Sequence, residues 1–216
     1  MPTLDRRLYR LVNGLPHPGR LDDQVSLLSD LARGAGWIGA SPWLSLRDGS
    51  RGRRAGLAAT TAMLTATALV QGPLKAQLRR ERPFVSGVSI LVGLAPDDPS
   101  FPSGHSAGSF AAAVALSGFY PTDSPLLLGV ASAVGFSRVY LGHHFPSDVV
   151  AGAGLGSVIG GLVGRLFRIG WRQPGDLLTG GKALAPKADR SGPERLPAVA
   201  LMNSGTTAVE PQELQF

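Results

Sequence analysis

Residues 55–74 read AGLAATTAMLTATALVQGPL, twenty positions without a charge. As a helix, that is about the length of one bilayer crossing. Working outward, uncharged runs recur at 34–46, 104–122, 124–137 and 149–164. A weaker amphipathic run, VSLLSDLA (25–32), precedes the first of them. No stretch alternates with the period of two that a half-buried strand needs. The expected fold class is therefore all-α, an integral membrane helix bundle of about five apolar helices. A soluble bundle of buried helices is the alternative. Gly152, Gly154, Gly156, Gly160 and Gly161 suit close helix packing inside a membrane.

Outside the bundle, the start MPTLDRRLYRLVNGLP lacks the continuous apolar core and cleavage site of a signal peptide. Leu4, Leu8 and Leu11 share one helical face, with Arg6, Arg7 and Arg10 elsewhere. That pattern predicts an N-terminal amphipathic helix, lying at an interface or capping the bundle, and ended by Pro16 and Pro18. Residues 173–216 carry five prolines, five glycines and nine charges with no long apolar period. They read as a disordered polar tail. The expected organisation is 1–21 amphipathic segment, 22–172 bundle domain and 173–216 tail.

Composition removes several function classes. No cysteine occurs, so disulfide scaffolds, iron–sulfur sites and thiol catalysis are excluded. The net charge of +6 favours anionic partners. The basic residues gather at the ends of apolar runs (Arg51, Arg53, Arg54; Arg79, Arg80, Arg82; Arg165, Arg168, Arg172) rather than in a stripe with interleaved aromatics. Anionic lipid or a phosphorylated substrate fits this better than nucleic acid, for which no reader motif is present.

Three polar clusters sit at apolar-run ends, where ionisable groups are functional candidates. In KAQLRRERP (75–83), Lys75 and Arg82 are seven apart, close to two helical turns. On one helix ended by Pro83, they would form an anion clamp. Arg79 and Arg80 read as interfacial anchors. In FPSGHSAGSF (101–110), Ser103 is placed to N-cap the following helix. Gly104 lets an anion approach the free amides there, and His105 could exchange a proton with it. In SRVYLGHHFPSDVV (137–150), Arg138 interrupts an apolar run and demands an anionic partner. Asp148, four residues after His144, can orient one imidazole nitrogen and leave the other free to attack. Adjacent His143 points elsewhere and reads as structural. Two adjacent histidines rarely share one ion, so no metal site is expected.

In this order and spacing, the residues resemble the type 2 phosphatidic acid phosphatase superfamily, the lipid phosphate phosphatases. That family carries K-x6-R-P, P-S-G-H and S-R-x5-H-x3-D. Here they read Lys75 to Arg82-Pro83, Pro102-Ser103-Gly104-His105, and Ser137-Arg138 to His144 to Asp148. The resemblance covers residues 22–170. It implies a metal-independent phosphatase with no cofactor, acting on a lipid phosphate or diphosphate, polyprenyl or glycerolipid, through a phosphohistidine. It makes His144 the nucleophile, Asp148 its orienter and His105 the proton donor. Lys75, Arg82, Arg138, Ser103 and Gly104 would bind phosphate. The resemblance implies a site facing outward, and the composition, rich in Arg, Ala and Gly with few Lys, points to a bacterial cell membrane. The alternatives are a vanadium-dependent haloperoxidase-like enzyme and a catalytically inactive membrane scaffold.

Overall fold

The computed structural model describes residues 3–31, 34–86 and 90–170. The expected tail, 173–216, lies outside the described residues. Every regular element described is helical. Helix α1 (Thr3–Asn13) and α2 (Gly19–Leu31) precede α3 (Ala35–Leu69). A π-helical turn (Val70–Leu74) and one short turn, α4 (Lys75–Gln77), carry the chain to the site loops. Then come α5 (Gly104–Ser117), α6 (Ser124–Tyr140) and α7 (Pro146–Ile169).

α3 is two antiparallel arms. The chain reverses at Asp48 (φ −121°) and Gly49 (φ 55°, ψ −125°), the second a conformation glycine adopts without steric cost. Past the turn the arms touch. A Cβ on Gly52 would lie 1.8 Å from the Leu44 carbonyl oxygen, and Ser41 Oγ meets Thr60 Oγ1 at 3.2 Å. The runs at 34–46 and 55–74 are thus separate helices, as their spacing suggests.

α5 is the central helix. Ala107, Ala111, Ala112 and Ala115 are fully buried against Ala55, Ala59, Ala62 and Ala66 of α3 and against α7. Contact with α7 follows a four-residue glycine repeat. A Cβ on Gly152, Gly156 or Gly160 would lie 2.1–2.4 Å from a backbone oxygen of α5 or of Ser103 just before it, and a Cβ on Gly164 would lie 3.1 Å from Ala115 Cα. Backbones can approach this closely only where side chains are missing. Two of the expected packing glycines are placed otherwise. Gly154 has nothing within 4 Å and Gly161 only a distant Val114 methyl, because they lie off the repeat; Gly164 takes their place.

The outer face of α7 is apolar: Val150, Val158, Leu162 and Leu166 are each more than 60% exposed. Two helical stretches, Ala35–Gln77 and Pro146–Ile169, are long and apolar enough to cross a membrane, the first including the Asp48–Gly49 reversal. An exposed apolar waist around a core of small residues is the arrangement a bilayer accepts.

α1 has two working faces. Asp5, Tyr9 and Asn13, one helical turn apart, are buried against the bundle. Leu4, Leu8 and Leu11 stay exposed, as an interfacial helix requires. The helix is therefore both docked and amphipathic.

Candidate functional site

The N-termini of α5 and α7 lie side by side, tied by Ser103 N donating to the Asp148 carbonyl at 3.0 Å. Ser103 caps α5: its hydroxyl accepts from Ser106 N at 3.4 Å. Next to them is a cavity of about 670 Å³. Lys75, Arg82 and Arg138 line it, with Gly104, His105, His143 and His144. Ser103 and Asp148 are fully buried just behind that lining.

Lys75 and Arg82 arrive by a route the sequence does not suggest. The helix does not run to Pro83; it opens into the π turn around Pro73, and the last helical residue is Gln77. Leu78 turns out of helical geometry (φ −102°, ψ 71°), and the chain continues without helix to Pro83. Arg80 N turns back to the Leu78 carbonyl at 3.0 Å. In this non-helical segment Arg80 and Arg82 point inward, while Arg79 and Glu81 are exposed. Lys75 and Arg82 still converge, because both pair with Asp98, Arg82 Nη2 at 2.5 Å from its Oδ1. Burial alone would raise the Asp98 carboxyl, but Lys75 and Arg82 more than offset this and hold it below its usual range.

Arg80 is not an interfacial anchor. Its Nη1 donates to Asp148 Oδ1 and its Nη2 to Asp5 Oδ2, each at 2.6 Å. The guanidinium also lies 4.4 Å from the Phe145 ring centroid. Ser147 completes the group, donating through N and Oγ to Asp5 at 3.0 and 2.6 Å. These bonds outweigh the burial of Asp5 and keep its carboxyl below the ordinary carboxylate range. An N-terminal helix is thereby fastened to the start of α7.

His144 is buried in the corner between α6 and α7. Its Nε2 faces Arg82 Nη1 at 3.4 Å. A guanidinium can only donate, so Nε2 presents its lone pair and Nδ1 carries the proton. Nδ1 faces Asp148 Oδ2 at 3.7 Å, longer than a hydrogen bond. Asp148 Oδ2 instead accepts from Ser100 Oγ at 2.5 Å and Phe145 N at 2.8 Å. Burial first, then nearby Arg82, pushes the His144 pKa down to about 4, against the pull of Asp148. The imidazole is neutral in this cavity.

His143 turns the other way, its Nε2 donating to the Val92 carbonyl at 3.1 Å, while its own carbonyl accepts from Arg82 Nη1 at 2.8 Å. Between α6 and this pair, Gly142 has φ 84°, and a Cβ there would strike the Ile90 carbonyl oxygen at 2.2 Å. That glycine lets the 90–98 loop close on the corner and deliver Asp98. Arg138 is steadied from α2, donating through Nη1 to Ser29 Oγ at 2.7 Å.

The sequence singles out Lys75, Arg82, Ser103, Gly104, His105, Arg138, His144 and Asp148, and all eight lie in or directly behind one cavity. It misses Asp98, Arg80, Asp5, Ser100 and Ser29. The one available signal was the Arg80/Arg82 spacing of two, which can mark a shared face once the segment leaves the helix.

A helical bundle that gathers three cations and three imidazoles over paired helix N-termini defines a class of phosphate-handling membrane proteins. The chain belongs to the PAP2 superfamily, whose model matches residues 56–171. It is similar to a decaprenylphosphoryl-5-phosphoribose phosphatase of Mycobacterium tuberculosis, 36% identical over 90 residues, covering 42% of this chain and 49% of that protein. The chain thus spans about half the length of that relative. The Mycolicibacterium smegmatis protein of the same name is 36% identical over 137 residues, covering 62% of this chain and 72% of that one. Among solved structures, Aquifex aeolicus LpxE superposes with a TM-score of 0.62 at 28% identity, covering 74% of this chain and 94% of that one.

Proposed function

We propose that this protein is an integral membrane phosphatase that removes phosphate from a lipid phosphate or diphosphate through a phosphohistidine, without a metal ion. The observation that carries the reading is the convergence of Lys75, Arg82, Arg138, His105 and His144 on one cavity, with Asp148 behind His144. The neutral tautomer of His144 aims a lone pair into the space the cations surround. In the first step, Nε2 of His144 bonds to phosphorus and the bond to the lipid oxygen breaks. His105 gives that oxygen its proton. In the second step, His105 takes a proton from water, which attacks phosphorus and releases orthophosphate with His144 restored. Asp148 steadies the imidazolium formed in between. Lys75, Arg82 and Arg138 meet the charge that spreads over the three equatorial oxygens, and the amides at Gly104 add to it.

The two mycobacterial relatives are named as phosphatases of a decaprenyl-linked phosphoribose, which favours an isoprenoid lipid phosphate over a glycerolipid. We place the site on the outer face of the cell membrane. The exposed leucines of α1 beside the site suit a substrate arriving from the bilayer surface. The test is turnover of purified protein on a panel of polyprenyl and glycerolipid phosphates, with and without chelator. Release of orthophosphate unaffected by chelator, inhibited by vanadate and abolished in His144→Ala is expected. Loss to chelator with recovery on adding magnesium would overturn the metal-free mechanism. Halide oxidation with vanadate and peroxide in place of hydrolysis would assign the chain to the haloperoxidase reading.

A further inference from the structure

The opposite end of the bundle carries a second basic cavity, of about 820 Å³, formed where the second arm of α3, the α5–α6 link and the end of α7 meet. Arg51, Arg54, Arg165 and Arg168 line it with Phe119 and Ile169, and no Asp or Glu does so among the described residues. The nearby carboxylate of Asp48 lies 3.9 Å from Arg47 and also acts on Tyr120, whose ring packs on Arg51. We propose that this cavity binds the phosphate of an anionic phospholipid headgroup, in the leaflet away from the histidine site.

At least three of the four guanidiniums are held before any ligand arrives, Arg54 Nε donating to the Ser50 carbonyl at 3.2 Å. Arg51 donates to the Phe119 carbonyl and lies 4.8 Å from the Tyr120 ring centroid. Arg168 lies 5.8 Å from the Phe119 ring centroid and crosses Gly118 so closely that a Cβ there would sit 1.5 Å from its Nη1. Side chains fixed in advance lose less entropy on binding. Guanidinium forks also match phosphate oxygens better than ammonium groups do. Gathering four like charges is unfavourable until an anion joins them.

The surroundings select a lipid over a soluble phosphate. Val158, Leu162 and Leu166 form an exposed stripe one helical turn apart, and Ile169, itself 52% exposed, continues it into the cavity wall. A headgroup seated among the arginines places its acyl chain along that stripe. The proposal is independent of the chemistry assigned to the histidines.

The experiment measures thermal unfolding of the full chain in neutral detergent. The additives are phosphatidylglycerol, phosphatidylcholine, or soluble glycerol 3-phosphate. Phosphatidylglycerol should raise Tm by about 5 °C at saturation, as a ligand specific for the folded state does. Phosphatidylcholine and glycerol 3-phosphate should not. The increment should vanish in Arg165→Gln/Arg168→Gln, while hydrolysis of a soluble aryl phosphate is unchanged. Gly118→Val, which displaces the Arg168 guanidinium, should reduce it without removing a charge. If the double variant does not fold, Arg165→Gln alone, at an exposed position, should roughly halve the increment. Equal increments in variant and parent would overturn the proposal, as would an equal effect of phosphatidylcholine. An effect of glycerol 3-phosphate matching that of the lipid would make this a soluble-phosphate site instead.

Discussion

Arg80 bridges Asp148 and Asp5 through separate nitrogens, each contact 2.6 Å long, so the carboxylate behind His144 is neutralised by a residue that never reaches the cavity. Asp148 has no exposure to solvent, and a buried carboxylate without a partner is strongly unfavourable. The Asp5–Arg80–Asp148 chain fixes which way Asp148 presents Oδ2 to the imidazole. Arg80→Gln should therefore lower kcat about a hundredfold, the cost of misplacing a reacting group by about an ångström, with little change in KM. Asp5→Asn should follow it in direction and be smaller. A purely structural role would instead lower the amount of folded protein and leave kcat per folded molecule intact, which active-site titration separates.

Asp98 occupies the two cations that a phosphate would use. Asp98→Asn should tighten inhibition by orthophosphate and by vanadate about tenfold, the value of one charge-assisted hydrogen bond released to the ligand. Inhibition constants unchanged by the substitution would show that the carboxylate does not compete.

The histidine pair makes stability depend on pH. Burial, aided by Arg138, pushes His143 down to about 3, and burial pushes His144 down to about 4, from 6.5. Between the folded and unfolded values, the unfolded chain binds protons that the folded one does not. Stability is therefore fully present above pH 6.5 and declines as pH falls, His144 contributing down to about 4 and His143 down to about 3. Asp5 and Asp98, held low, add further loss only below 3.8. Thermal unfolding in detergent should show Tm falling across that window, with a shallower slope in His143→Gln. The acid limb of kcat/KM should likewise lie closer to pH 4 than to 6.5, since His144 must be neutral to attack. A flat Tm would mean that the imidazoles titrate in the fold as they do in the unfolded chain.

The glycine repeat of α7 separates two kinds of glycine. Gly156→Val drives a side chain into the Ala107 carbonyl, 2.1 Å from the Cβ position, and should cost about 3 kcal/mol. Gly154→Ala meets nothing within 4 Å and should gain up to about 1 kcal/mol from helix propensity. Thermal unfolding of both variants against the parent tests the assignment, and equal effects would refute it.

How much of this was legible in the sequence follows from distance along the chain. The apolar runs mark the helices because burial pattern is local. The eight polar residues stand out because ionisable groups at apolar-run ends are rare. The partners Asp5, Asp98 and Ser29 were not legible, since each pairs across a gap that only the fold closes: Asp5 meets Ser147 from 142 positions away and Ser29 meets Arg138 from 109. Arg80 was misread because a basic flank is ordinary at the end of a membrane helix. Its inward direction depends on the helix stopping at Gln77, which the run to Pro83 conceals.

The Asp48–Gly49 reversal has a consequence for the surrounding bilayer. It leaves the first arm of α3, 35–47, only thirteen residues long. That spans roughly 20 Å, against about 30 Å for a typical hydrocarbon layer. In a bilayer, an arm this short is a hydrophobic mismatch of the kind that local thinning of the membrane relieves.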